Sequence, residues 1–229
     1  MAQTNWPGAI LFDLDGTLAD SAADIATALN QLLDEQNLPG FSTGAVTQMV
    51  GGGVQLLIER ALKAHGQGVE SDRIAALVPR FMEIYTPRAA EQTRLFPGVR
   101  ELLESYHEGG VGLGVCTNKP EGVSRMILDA LGVAHLFGAV VGGDTLAVKK
   151  PDPAPLLAAL EILNCAPQRA LMVGDSAADA NAARAAGVPV ILVTFGYTQT
   201  PVQELESDGT VDSFSQLPEA IAALRASRS

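Results

Sequence analysis

Cysteine is nearly absent from this chain. Cys116 and Cys165 are the only two in 229 residues, and neither has the C-x-x-C spacing of a redox or zinc site, so both are expected to be reduced core residues, as suits the cytosol. Aromatic residues make up only 5%, which excludes a core held by large rings and favours Ala-rich helices packed closely on a sheet. Basic residues are outnumbered, 15 against 26 acidic, for a net charge of -11. No basic stretch is long enough to neutralise a run of phosphates, which argues against nucleic acid. Apolar runs approaching the ~18 residues of a membrane span are missing, and Met1 to Gly8 shows no basic region followed by an apolar stretch. The expectation is a cytoplasmic chain with neither a membrane nor a nucleic-acid partner, acting as a monomer or a homodimer. An anionic substrate would meet an unfavourable overall field, so something local must reverse the sign, and a bound cation is the simplest candidate.

What is present points to an α/β protein. The apolar runs Ala9 to Phe12, Val111 to Cys116, Ala139 to Gly142, Ala170 to Gly174 and Val188 to Val193 are continuous rather than alternating, as in strands buried on both faces of a parallel sheet. Helical patterns at Glu121 to Leu131, Ala154 to Leu163 and Ala177 to Ala186 lie between them, giving the order of a doubly wound, Rossmann-like fold. Ligands bind such sheets outside the carboxyl ends of the strands, where Asp13, Thr117 and Asp175 all fall. Almost a hundred residues separate Asp13 from the strand at Val111, far more than a crossover needs. Helical spacing fills the gap: Ala22 to Leu33, Val54 to Leu62, and Ile74 to Tyr85, the last expected to break or kink at Pro79. Residues 19–87 therefore read as a helical cap domain inserted into a core of residues 1–18 and 88–229.

Asp13 and Asp15 sit two apart at the end of an apolar strand, and Gly16 permits a sharp turn. Such a pair can divide labour, one carboxylate attacking phosphorus while the other protonates the leaving oxygen. A polar turn would explain D-G-T alone, but not its place after a fully apolar strand. Asp175 and Asp179 enter a helix four residues apart; as mere caps their like charges would repel, whereas with Asp13 and Asp15 they form an all-oxygen cluster suited to Mg²⁺. Thr117 can donate a hydroxyl to a phosphoryl oxygen, or simply cap a helix. Lys150 can offset the charge of nucleophile and substrate, while its neighbour Lys149 reads as solvated.

In this order Asp13-Leu14-Asp15-Gly16-Thr17, Thr117-Asn118, Lys150-Pro151 and Gly174-Asp175 with Asp179 resemble the four motifs of the haloacid dehalogenase superfamily. The resemblance implies a Rossmann-like core with an inserted cap, Asp13 as nucleophile, Asp15 as general acid/base, and Thr117, Asn118 and Lys150 as phosphoryl holders. It also implies Mg²⁺ bound by Asp13, the Asp15 carbonyl and Asp175, with Asp179 supporting from behind. Asp15 favours phosphoryl transfer over dehalogenation, which has no oxygen leaving group to protonate. In the cap, Gly51, Gly52 and Gly53 before a helix could cradle an anion on backbone N–H groups or form a flexible turn. Arg60 and Lys63 beyond them could reach a substrate carboxylate or serve as surface charges. The Val-Gly-x-Gly pattern and Asp152-Pro153-Ala154-Pro155-Leu156 are similar to bacterial phosphoglycolate phosphatases, implying a small anionic phosphomonoester as substrate. A phosphatase for another small sugar or metabolite phosphate and a phosphomutase resembling β-phosphoglucomutase share every core motif. A receiver domain would need about half the length and no cap. Gly110 to Gly114 lies within a strand, failing the context of a dinucleotide fingerprint.

Overall fold

The computed structural model describes residues 6–198 and 200–228. The first five residues of the N-terminal stretch, Gln199, and Ser229 at the end of the expected core segment lie outside them. In chain order the elements are β1 (Ala9–Phe12), β2 (Ala19–Asp20), α1 (Ala22–Glu35), α2 (Thr43–Thr47), α3 (Val54–Ala64), α4 (Ser71–Tyr85), β3 (Arg94–Leu95), α5 (Val99–Glu108), β4 (Gly112–Cys116), α6 (Glu121–Ala130), β5 (Ala139–Val141), α7 (Ala154–Ile162), β6 (Ala170–Gly174), α8 (Ala177–Ala186), β7 (Val190–Val193), β8 (Gly209–Val211) and α9 (Leu217–Ser227).

Six strands form one parallel sheet in the order β5-β4-β1-β6-β7-β8. The chain winds outward from β1 through β4 and β5, then crosses back to β6 and winds the other way, so β1 is the switch point at which such folds open a crevice. Continuous apolar sequence produces strands covered on both sides. Ile10 and Phe12 of β1 join one buried cluster with Val99 and Leu103 of α5, Ile127 of α6 and Leu217 of α9. Ala9 and Leu11, pointing the opposite way, join another with Leu156 and Leu160 of α7 and Ala183 of α8. The alternation is the two-residue period of a strand, hidden in the sequence because both faces bury apolar side chains.

Between β1 and β4 the chain makes its long helical excursion. It leaves and returns side by side: Ala19 pairs with Leu95 and Asp20 with Arg94 in a short antiparallel stem, and Phe96 N–H donates to Leu18 O at 3.0 Å. Buried Asp24 in the first turn of α1 ties the two legs, accepting from the N–H groups of Gln92 and Thr93 and from the Thr93 hydroxyl. Leu29, Ile58 and Phe81, from α1, α3 and α4, belong to the same buried cluster as Phe12.

The helix α4 does not break at Pro79 but runs through it over 15 residues. A proline in a helix interior costs about 3 kcal/mol, whereas burying Ile74, Phe81, Ile84 and Tyr85 returns about 1.5–3 kcal/mol each, so packing wins. Cys116 is buried as expected, but Cys165 is only half-buried. Three of the sheet strands are shorter than their apolar runs, β4 starting at Gly112, β5 ending at Val141 and β7 starting at Val190. No described helix is long and apolar enough to cross a membrane.

Candidate active site

At the carboxyl ends of β1, β4 and β6 the polar residues converge. Asp13 leaves β1 with its N–H on Val173 O at 3.0 Å. Asp175 leaves β6, and its carboxylate is clamped by the Thr17 hydroxyl at 3.2 Å and the Tyr197 N–H at 2.6 Å. Two glycines make the close approach possible. A Cβ on Gly16, whose φ is +80°, or on Gly196 would collide with the Asp175 carboxylate.

Carboxylate oxygens of Asp13, Asp175 and Asp179 all lie within 4.8 Å of one another, and all three residues are buried. Asp179 is fully engaged. One oxygen accepts from Lys150 Nζ at 2.6 Å and the other from the N–H groups of Asp175 and Ser176 and from the Ser176 hydroxyl, which uses the roughly four lone-pair sites a carboxylate has. It therefore positions its neighbours and caps α8, while the less heavily bonded carboxylates of Asp13 and Asp175 keep lone pairs to spare. An all-oxygen pair of buried carboxylates, without histidine or cysteine, fits a hard divalent cation such as Mg²⁺ or Ca²⁺.

The electrostatics agree. Burial pushes the Asp13 carboxyl up to about 6, against the pull of the Lys150 ammonium. Burial and then the charges of Asp179 and Asp13 raise Asp175 well above the carboxylate range. Carboxyls so raised are uneasy as anions by themselves, and a cation between them would relieve the strain. Lys150 sits 3.2 Å from Asp13 and also donates to Cys116 O at 2.6 Å. Burial opposes its charge, but Asp13 and Asp179 outweigh that and hold it protonated.

The chain has four lysines in all, and Lys119, Lys149 and Lys150 meet here. This local reversal of sign accompanies the carboxylates in a chain of net charge -11. Lys149 is not simply solvated: its ammonium donates to Gly52 O at 2.7 Å, because the loop after α2 packs down onto it. The Asn118 amide donates to Gly51 O at 3.1 Å and to Lys150 O at 3.0 Å. Gly51 and Gly52 thus turn carbonyls toward the core residues. Arg60 donates to Met49 O and Val50 O, bracing the same loop, while Lys63 is exposed and lines neither of the two cavities that flank Asp15.

Asp15 stands apart from the three-carboxylate cluster. Both its oxygens accept from the Lys119 ammonium, at 3.0 and 2.9 Å, and one also from the Ser21 hydroxyl. Lys119 lies over the Tyr85 ring, 4.7 Å from its centroid. Thr117 lies beside Asp13, its hydroxyl favouring the ionised carboxylate. Sequence reasoning did not single out Lys119, Ser21, Tyr85 or Tyr197. For Lys119 a signal existed, since a lysine two residues beyond a strand end is conspicuous in so acidic a chain. Tyr197 had none: it sits in a loop and reaches across 176 residues to accept from Ser21 N–H.

An inner cavity of about 50 Å³ and an outer cleft of about 490 Å³ meet at Asp15, Val50, Gly51 and Asn118. The inner one holds Asp13 and Thr117 at its floor and is roofed by Ile25, Val54, Leu57 and Phe81. The outer one carries Lys150 and Asp175.

A parallel sheet switching direction at a strand that ends in a buried aspartate, with lysine and carboxylates opposite, makes this one of the α/β proteins that carry their site at the switch point. Residues 10–193 match the model of the haloacid dehalogenase-like hydrolases, and the chain belongs to that family. It is 45% identical over 215 residues to a phosphoglycolate phosphatase of Rhodospirillum rubrum, covering 92% of this chain and 89% of the relative. A phosphoglycolate phosphatase of Caulobacter vibrioides is 42% identical over 215 residues, covering 94% and 91%. Among solved structures, a predicted phosphoglycolate phosphatase from Haemophilus somnus superposes with a TM-score of 0.86 at 34% identity, covering 95% of this chain and 98% of its own. These likenesses make the protein a phosphatase, a phosphoric monoester hydrolase acting on a small phosphate substrate.

Proposed function

We propose that the protein hydrolyses 2-phosphoglycolate to glycolate and phosphate with Mg²⁺, Asp13 acting as nucleophile through an aspartyl-phosphate. The observation that carries this reading is the Asp13 carboxylate, held at the switch point with Lys150 3.2 Å away and Asp175 beside it. Asp13 and Asp175, joined by the Asp15 carbonyl, would hold the Mg²⁺, with Asp179 supporting them. The ion supplies charge neutralisation of the phosphoryl oxygens. Thr117, Asn118 and Lys150 orient the phosphoryl group for in-line attack by Asp13. Asp15, across the floor of the inner cavity, protonates the leaving alkoxide and then takes a proton from the water that hydrolyses the aspartyl-phosphate. Residues 19–87 act as a cap that excludes water from the inner cavity while chemistry proceeds, residues 1–18 and 88–229 being the catalytic core.

Support for phosphoglycolate comes from the names of the relatives at 45% and 42% identity and from the size of the inner cavity. A water needs about 10–15 Å³ of such space, so an inner cavity of about 50 Å³ suits a small substrate. The test is phosphate release across a panel of small phosphomonoesters, with Mg²⁺ and with excess EDTA. The expected result is a preference for phosphoglycolate that EDTA abolishes; a larger sugar phosphate turned over faster, or release unchanged in EDTA, overturns the corresponding part of the reading.

A further inference from the structure

The inner cavity contains more polarity than phosphoryl transfer requires. Its roof is apolar, yet the Lys119 ammonium opens onto it with a side chain only 5% exposed. Beside that ammonium the Tyr85 hydroxyl, on the same lining, is buried and has no hydrogen-bond partner. Lys119 has three N–H donors, of which the two Asp15 oxygens engage at most two. The third N–H faces Tyr85, over whose ring the ammonium lies, so the unmet group is the Tyr85 O–H; a buried hydroxyl without an acceptor is costly, and its retention beside a buried positive charge points to an anionic guest.

We propose that Lys119 and Tyr85 form the leaving-group subsite, accepting a carboxylate one carbon away from the phosphate ester oxygen and so selecting anionic over neutral leaving groups. The assignment rests on the phosphoglycolate reading and goes beyond it in naming the residues that impose it. The geometry is consistent throughout. Asp13 and Thr117 lie on the floor, where the phosphate is to be held, and the two donors stand on the wall of the same cavity. Ile25, Val50, Val54, Leu57 and Phe81 make most of the remaining wall apolar, and a carboxylate arriving there without Lys119 would be desolvated and unpaired. Recognition by a donor set that is otherwise unsatisfied is the kind that discriminates most strongly. Asp15 then shares Lys119 with the substrate. The same ammonium that positions the general acid also reads the leaving group that acid will protonate.

The experiment compares kcat/KM for 2-phosphoglycolate with that for 2-hydroxyethyl phosphate, which replaces the carboxylate by a hydroxymethyl group. The comparison is made in the native enzyme, Lys119→Met and Tyr85→Phe, each checked for an unchanged thermal transition. Because Lys119 also holds Asp15, Lys119→Met should slow both substrates, so the ratio is the informative quantity. It should fall about a hundredfold or more in Lys119→Met and about tenfold in Tyr85→Phe, as loss of a charge pair and of one hydrogen bond to a charged group predict. Equal losses on both substrates in the folded variants would reduce Lys119 to a positioning residue for Asp15 and overturn the proposal. If Lys119→Met does not fold, the ratio in Tyr85→Phe, which leaves the Asp15 pair intact, decides alone. A native enzyme with no preference between the two esters would overturn both this proposal and the phosphoglycolate reading, whereas a native preference that the variants keep overturns this proposal only.

Discussion

Asp179 shows how much of the site depends on a side chain that touches neither proposed metal nor substrate. It satisfies Lys150, two backbone N–H groups and the Ser176 hydroxyl at once. Asp179→Ala therefore leaves a buried ammonium short of its partner, and thermal unfolding should show a loss of about 3–5 kcal/mol. Asp179→Asn keeps the shape and one acceptor; its main defect should be Mg²⁺ affinity, lowered about 10- to 100-fold in a metal titration. Gly16→Ala is the second residue-level test. Its φ of +80° and the collision of a Cβ with Asp175 predict a loss of metal affinity together with destabilisation of about 1 kcal/mol or more. Asp13, Thr117 and Asp175 were legible in the sequence because each ends a continuous apolar run. Their partners were not: Lys119 meets Asp15 across 104 residues and Tyr197 meets Asp175 across 22, and contacts of that kind leave no periodic trace.

The elements most clearly written in the sequence are those with one dominant constraint. Strands β1 and β6 are buried on both faces and match their apolar runs residue for residue. Helix α5, by contrast, follows Phe96-Pro97-Gly98 with few apolar residues, Val99, Leu102 and Leu103 being the buried ones. Strands β2 and β3 have two residues each and exist only because the helical excursion must leave and return at one place. Pro79 illustrates a local rule overridden by packing. It is exposed in the middle of α4, so Pro79→Ala removes the missing N–H and the ring clash without losing a buried contact. The variant should unfold at higher temperature, by about 1 kcal/mol or more, despite the gain in unfolded-state freedom. A lower transition would show that the proline fits the helix without strain.

For the whole molecule, the sign of the charge is the governing fact. A net charge of -11 repels a small dianion at long range, and three of the four lysines gathered at one sheet edge, together with the proposed Mg²⁺, would restore attraction where it counts. The metal should accordingly stabilise the fold. At a hundred times its Kd, Mg²⁺ adds about 2.7 kcal/mol, which for a chain of this size raises Tm by roughly 5–10 °C. Calorimetry with and without EDTA checks this, and the shift should shrink in Asp13→Asn. Fold, family and sheet-edge site are all readable before the structure; the division of labour between inner cavity and outer cleft is not, because it depends on how α1, α3 and α4 sit over β1.

The most direct test of Asp13 as nucleophile is steady-state turnover of phosphoglycolate by Asp13→Asn in saturating Mg²⁺. The amide keeps the shape of the carboxylate and its proximity to Lys150 but cannot form an aspartyl-phosphate. The expected result is a fall in kcat of about 10⁴-fold or more with the folded structure retained. A folded Asp13→Asn protein whose kcat stays within tenfold of the native value would contradict the account.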